Sequence, residues 1–190
     1  MDNKEIIKKI DQVISNIDLR IKNLFEKNDM YTHMAKEREK CGSIKKYHYE
    51  LEKTNYEILK CFNQIRKSEL FKKRCLVYKE YLNSLNTNDP IETKSKEYKF
   101  LKILQEETIF DYDSEIKELN QRSIVEKICN KEDTSTKKIK DLETERNKKL
   151  QIFSKQQFHI QKERQYSLDY LNYDTNPVVQ ISFRQIRKAR

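Results

Sequence analysis

Ile7, Ile10, Ile14, Ile17, Ile21 and Leu24 follow one another at alternating intervals of three and four residues. On a helix those intervals hold all six on one stripe, and their seven-residue period predicts a seam against another helix, kept in contact by left-handed supercoiling. Asp2 with Glu5 three positions on fits a helix start. Asn28 and Tyr31 continue the register more weakly, and the chain's only glycine, in Cys41-Gly42-Ser43, marks either a break or a local loosening. A second pattern runs through Tyr47, Leu51, Thr54, Ile58, Cys61 and Ile65, then shifts phase near Ser68 so that Phe71, Cys75, Tyr78, Leu82 and Leu85 form the next stripe. A shift of that kind alters supercoil pitch and marks where one packing partner hands over to another.

Asn86-Thr87-Asn88-Asp89-Pro90 predicts a stop, because the residue before proline avoids the α region and Asn and Asp favour turns. It also predicts a start, with Asp89 as cap, Pro90 at the first helical position and Glu92 three after the cap. The third helix carries Leu101, Leu104, Ile109, Tyr112, Ile116, Leu119, Ile124 and Ile128; the fourth, more sparsely apolar, carries Ile139, Leu142, Leu150, Phe153, Ile160, Leu168 and Leu171. The predicted organisation is an N-terminal coiled-coil helix over 1–40, a second long helix over 44–86, a proline turn over 87–92, a third helix over 93–130, a fourth over 136–172 and a basic tail over 173–190. The fold class is all-α: elongated helices, each about 60 Å long at about 1.5 Å per residue, forming a coiled coil or helical hairpin with a partner chain, and a flexible C-terminal tail. Periodicity leaves open whether the helices fold back or run on, and whether pairing is parallel or antiparallel.

Composition narrows the alternatives. With 36% apolar and 37% charged residues, the chain is short of material for one thick core, but a thin seam needs less. One Gly and two Pro are too few for the many turns of a sandwich, barrel or doubly wound sheet. Disorder also follows from high charge, but here the apolar residues keep helical spacing. No apolar run reaches the roughly 18 residues of a membrane span, and Met1-Asp2-Asn3-Lys4-Glu5 lacks the apolar stretch of a signal peptide, so an intracellular protein is expected.

Candidate chemistry is sparse. The sequence carries no Gly-rich phosphate loop, no His-Glu-x-x-His and no nucleophile elbow, and an enzyme is not expected. Cys41, Cys61, Cys75 and Cys129, like His33, His48 and His159, stand too far apart for a metal signature, so neither metal nor cofactor is expected. Cys61 and Cys75 fall on apolar stripes, where a thiol serves as a small hydrophobe. A net charge of +9 favours a polyanion only where it clusters. Two clusters are candidates for nucleic-acid contact: Lys72, Lys73 and Arg74 on the second helix, and Arg184, Arg187, Lys188 and Arg190 in the tail, with Phe183 able to stack on a base. For both, a solvated basic surface is the alternative. Eleven Tyr and eight Phe are many for a simple dimeric seam. They suit either a broad interface with another chain or packing between antiparallel helices of this one.

The stretch Tyr56-Glu57-Ile58-Leu59-Lys60-Cys61-Phe62-Asn63-Gln64-Ile65, the basic run Phe71-Lys72-Lys73-Arg74 followed by Tyr78, then Leu82, Leu85, the turn Asp89-Pro90-Ile91-Glu92-Thr93, and Leu101 with Leu104 carry a family resemblance. In order and spacing they resemble the middle region of the subunit-seven family of the THO complex, the nuclear assembly that links transcription to mRNA packaging and export. The resemblance covers about residues 34–107, with a weaker echo in Glu145-Arg146-Asn147-Lys148 and Phe153 or Phe158, to about residue 160. The segment between Glu107 and Leu142 is longer than the family's pattern, and the tail after Tyr173 has no counterpart in it. The resemblance implies a non-enzymatic nuclear scaffold subunit that pairs along its length with another long coiled-coil subunit, like THO subunit five, and with further THO subunits. RNA contact would be indirect or weak, with no membrane and no small-molecule substrate.

On that reading the partner-facing residues are Ile7, Ile10, Ile14, Ile17, Ile21, Leu24, Ile58, Ile65, Phe71, Tyr78, Leu82 and Leu85, stripes that an isolated helix would leave wet. Two other functions fit the same residues: a coiled-coil adaptor of a kinetochore, cytoskeletal or tethering complex, and a direct nucleic-acid-binding module.

Overall fold

The computed structural model describes the backbone of residues 3–41, 45–85, 89–129 and 135–175. These form four helices, α1 (Asn3–Glu39), α2 (Lys45–Ser84), α3 (Pro90–Ile128) and α4 (Ser135–Thr175), and no strand occurs among the described residues. The all-α class read from the periodicity is therefore the fold. At about 1.5 Å per residue each helix is about 55–60 Å long.

The helices fold back in sequence. Asp18 on α1 pairs with Lys72 on α2 at 2.5 Å and Asp11 with Lys79 at 2.6 Å, so α1 and α2 run antiparallel. At the other end Arg38 donates to the Glu50 carbonyl oxygen at 3.1 Å and to the Thr54 hydroxyl. Lys73 with Glu106, Arg74 with Glu107 and Lys67 with Asp111 set α2 against α3, again antiparallel. Arg146 with Asp113, and Gln157 donating to Gln105, do the same for α3 and α4. Among the described residues α1 touches only α2, α2 touches α1 and α3, and α4 touches only α3. This is an open row of four helices, not a closed bundle, because the first and last never meet.

Local sequence explains the breaks. Helix α3 opens at Pro90, three residues inside the segment 87–92 expected as a turn, because the Asp89 carboxylate accepts from the backbone N–H of Ile91 at 2.9 Å and of Glu92 at 3.3 Å. Proline at the first helical position gives up an N–H that had no partner there anyway. Helix α4 continues through Thr175, beyond the limit of 172 set by the apolar pattern. Helix α2 is unbroken through Ser68, whose hydroxyl donates to the carbonyl of Gln64 at 2.8 Å. The phase shift there is thus not a break.

Each seam is thin. Ile65 lies seven residues before Lys72 and fourteen before Lys79, both paired with α1, which puts it on the α1-facing stripe with Cys61; the two are 4% and 3% exposed. On the opposite side of α2, Asn63, Lys67 and Arg74 all bond to α3, and Leu70 between them is buried. Small residues let the backbones approach: Ser84 and Ser114 are the most buried side chains, and Ala35, Ser68 and Ser123 are buried too. A helix that touches only its sequence neighbours draws stability from those seams alone, as repeat proteins do.

Candidate interaction surfaces

The α1 stripe meets α2 of the same chain. Ile17 is buried and Ile7, Ile10, Ile14, Ile21 and Leu24 are half-buried; since α1 packs on α2 alone, that cover comes from α2. The register continues through buried Asn28 and Ala35. Of the predicted partner-facing residues of α2, Ile65 and Leu82 are buried and Ile58 is half-buried. Tyr78 stacks on Tyr81 and lies 5.6 Å, centroid to centroid, from Phe100 on α3. Phe71 carries the Arg74 guanidinium over its ring, and Leu85 is exposed where α2 ends.

The basic run of α2 is neutralised within the chain. Lys72 pairs with Asp18 at 2.5 Å, Lys73 with Glu106 at 2.9 Å and Arg74 with Glu107 at 3.2 Å. Consecutive residues on a helix point about 100° apart, so three adjacent cations diverge toward both neighbouring helices instead of forming one patch. Arg184, Arg187, Lys188 and Arg190 lie outside the described residues.

Beside that run lies a small open hollow of about 190 Å³, lined by Lys67, Leu70, Phe71, Arg74, Glu107, Phe110 and Asp111. Its charged walls pair with one another, Lys67 with Asp111 at 3.1 Å and Arg74 with Glu107. Burial pushes the Glu107 carboxyl up from its ordinary value, and the Arg74 charge offsets this only in part. As pH rises above about 4.5, the unfolded chain gives up this proton before the folded one, so ionising Glu107 lowers stability. Glu107→Gln, which mimics the protonated carboxyl, is therefore expected to raise stability at pH 7. The gain should vanish when urea melts are repeated below the carboxylate range, and a loss at pH 7 would contradict this account.

The thiols and imidazoles assemble nothing. All four cysteines are free, burial raises the pKa of Cys61 and Cys75, and His33, His48 and His159 are exposed. A protonated buried thiol is a poor nucleophile. No group of His, Cys, Asp or Glu among the described residues could hold a metal ion, and none of the described helices is long and apolar enough to cross a membrane.

What stays uncovered is apolar surface. Leu19 is 61% exposed, Phe62 54%, Met30 52%, Ile152 50% and Phe158 62%, with Phe25 also exposed. The α1–α2 register brings Phe25 and Phe62 to within about one turn of the same level along the pair.

No family model, no curated protein and no solved structure matches the chain.

The heptad pattern selects Phe71, Tyr78 and Leu85, which are exposed too, but not Leu19, Phe25, Met30, Phe62, Ile152 or Phe158. Their signal is negative: Phe25 and Phe62 are large apolar residues off the stripes, and off-stripe positions on a solvated helix are ordinarily polar.

Proposed function

We propose that this chain is a non-catalytic helical scaffold whose open row of helices docks another long helical chain. The observation that carries the reading is the uncovered aromatic and aliphatic surface, above all Phe25 and Phe62, on a row whose end helices α1 and α4 leave their outer sides unpartnered. Apolar side chains exposed to this extent beside polar neighbours mark interaction surfaces. The α1 stripe and the buried positions of the α2 stripe hold the chain's own hairpin together, and the docking surface is what remains, Phe71, Tyr78 and Leu85 included.

The setting we propose is a nuclear THO-like complex coupling transcription to mRNA packaging and export, with a subunit-five-like coiled-coil partner. That setting rests on the resemblance of residues 34–107 alone. Tagged purification from native extract at moderate salt, with mass spectrometry of stoichiometric partners, is the test. A long helical partner is expected, and it should be lost from the Phe25→Asp/Phe62→Asp variant with the thermal melt unchanged, because both residues are exposed. Partners retained by that variant would overturn the docking surface. Recovery of an unrelated coiled-coil assembly would keep the scaffold and remove the THO setting.

A further inference from the structure

The outer side of α4 carries a ridge of lysines that no run of sequence reveals. Lys148, Lys155 and Lys162 are seven residues apart and Lys137 stands eleven before Lys148, intervals that return a helix to nearly the same face. Lys140 flanks them, and all five are exposed. The opposite face of α4, through Leu142, Arg146, Leu150, Phe153 and Gln157, is half-buried against α3. Cations on the α3 side are paired there, Lys138 with Glu115 and Arg146 with Asp113, each at 2.9 Å. On the outer side, Lys137, Lys140, Lys148 and Lys155 have no carboxylate within ion-pairing distance among the described residues.

Charge complementarity is strongest in the middle of the helix. From Arg146 to Lys162 the chain has no Asp or Glu, and Asn147 and Gln151 add exposed hydrogen-bonding amides. Phe158 projects from the same stretch, 62% exposed, with its ring edge-on to His159. We propose that this face of α4 binds the phosphate backbone of a single-stranded nucleic acid, without reading its sequence. From Lys137 to Lys155 the lysines spread over about 27 Å and neutralise successive phosphates, releasing their counterions. Exposed amides reach sugar and phosphate oxygens, and an exposed ring offers a base a stacking surface. The contrast with Lys72, Lys73 and Arg74 is physical: those cations already hold carboxylates, and exchanging one anion for another gains little. The inference does not depend on the scaffold reading.

The test is fluorescence anisotropy of a labelled oligouridylate of about 20 nucleotides with the full chain, across a salt series. Each lysine that neutralises a phosphate contributes about 0.7 to the slope of log K against log salt on a single strand. Lys137→Gln/Lys148→Gln/Lys155→Gln should therefore flatten the slope by about 2 and weaken binding at low salt at least tenfold, while arginine at the same three positions should retain both. Lys8→Gln/Lys22→Gln/Lys36→Gln removes the same charge from α1 lysines that also lack a carboxylate partner, and should leave the slope unchanged. Equal flattening in both glutamine variants would make the binding a property of net charge and overturn the proposal. An unchanged slope in the α4 variant would overturn it as well, and would leave the ridge to an acidic protein.

Discussion

Replacing Ile65 with Asp is expected to remove about 4–5 kcal/mol of stability, enough to unfold much of the chain at room temperature. Ile65 is 4% exposed on the α1-facing stripe of α2, between Cys61 and Lys72. Removing such a side chain alone costs about 2–5 kcal/mol, and a carboxylate left without a buried partner adds its desolvation. Domains hold only about 5–15 kcal/mol in total. The row has no second core to fall back on, because α1 packs on nothing but α2. Ile65→Val, which keeps shape and polarity, should cost only about 1 kcal/mol. Urea unfolding followed by far-ultraviolet circular dichroism reads both variants. Wild-type stability in the aspartate variant would mean that the α1–α2 seam does not form in solution.

Ser114→Leu should cost about 3 kcal/mol for the opposite reason, too much volume. Ser114 is 1% exposed on the α2-facing side of α3, and the Asn63 side-chain amide reaches across to its carbonyl at 3.3 Å and to the Glu118 carboxylate at 2.8 Å. The serine hydroxyl bonds only within its own helix, to the carbonyl of Asp111 at 2.9 Å. A larger side chain forces the helices apart and breaks the Asn63 contacts, and overpacking typically costs about 1–3 kcal/mol even before lost hydrogen bonds are counted. Ser114→Ala keeps the volume small and should lie within about 0.5 kcal/mol of wild type. Thermal melts of the two variants separate the explanations: equal, small effects would show that the helices are not in close approach at this point.

The ion pairs between helices carry a different weight. Those linking α2 to its neighbours are mostly half-exposed, and such pairs contribute about 0–1 kcal/mol each. Their value is register: Asp11 and Asp18 opposite Lys79 and Lys72, or Glu106 and Glu107 opposite Lys73 and Arg74, are satisfied only in one antiparallel alignment. Sliding α1 by a turn would take Asp11 and Asp18 away from both lysines.

This division explains which features of the site were legible in the residues. The run Lys72-Lys73-Arg74 is conspicuous in one dimension, yet in the fold each cation meets a carboxylate from another helix, and no local pattern names Asp18, Glu106 or Glu107 as the partners. The lysines of α4 are inconspicuous in one dimension because helical spacing separates them. They become a ridge only once α3 is known to cover the other face. Phe25 and Phe62 are legible in the residues only as apolar positions off the stripes, and their exposure is settled by the packing around them.

The residues themselves determined that the chain is helical, that the helices are about 40 residues long, and that Asp89 and Pro90 open one of them, because periodicity and capping are local properties of backbone and side chain. The phase shift near Ser68 marks no hand-over between partners: α1 meets α2 on both sides of it, through Arg38 with Glu50 and Asp18 with Lys72, and so does α3, through Gln121 with Glu52 and Glu106 with Lys73. Fold-back was decided only in tertiary structure: a heptad stripe has the same pattern whether its partner is another chain or the next helix of its own. What selected the hairpin is the matching of charges and small residues across seams, Asp11 with Lys79, Arg38 with Thr54, and Ser114 beneath Asn63, between positions far apart in the chain. Such pairings are set by the sum of many weak contacts between whole surfaces, and no single stretch of sequence contains them.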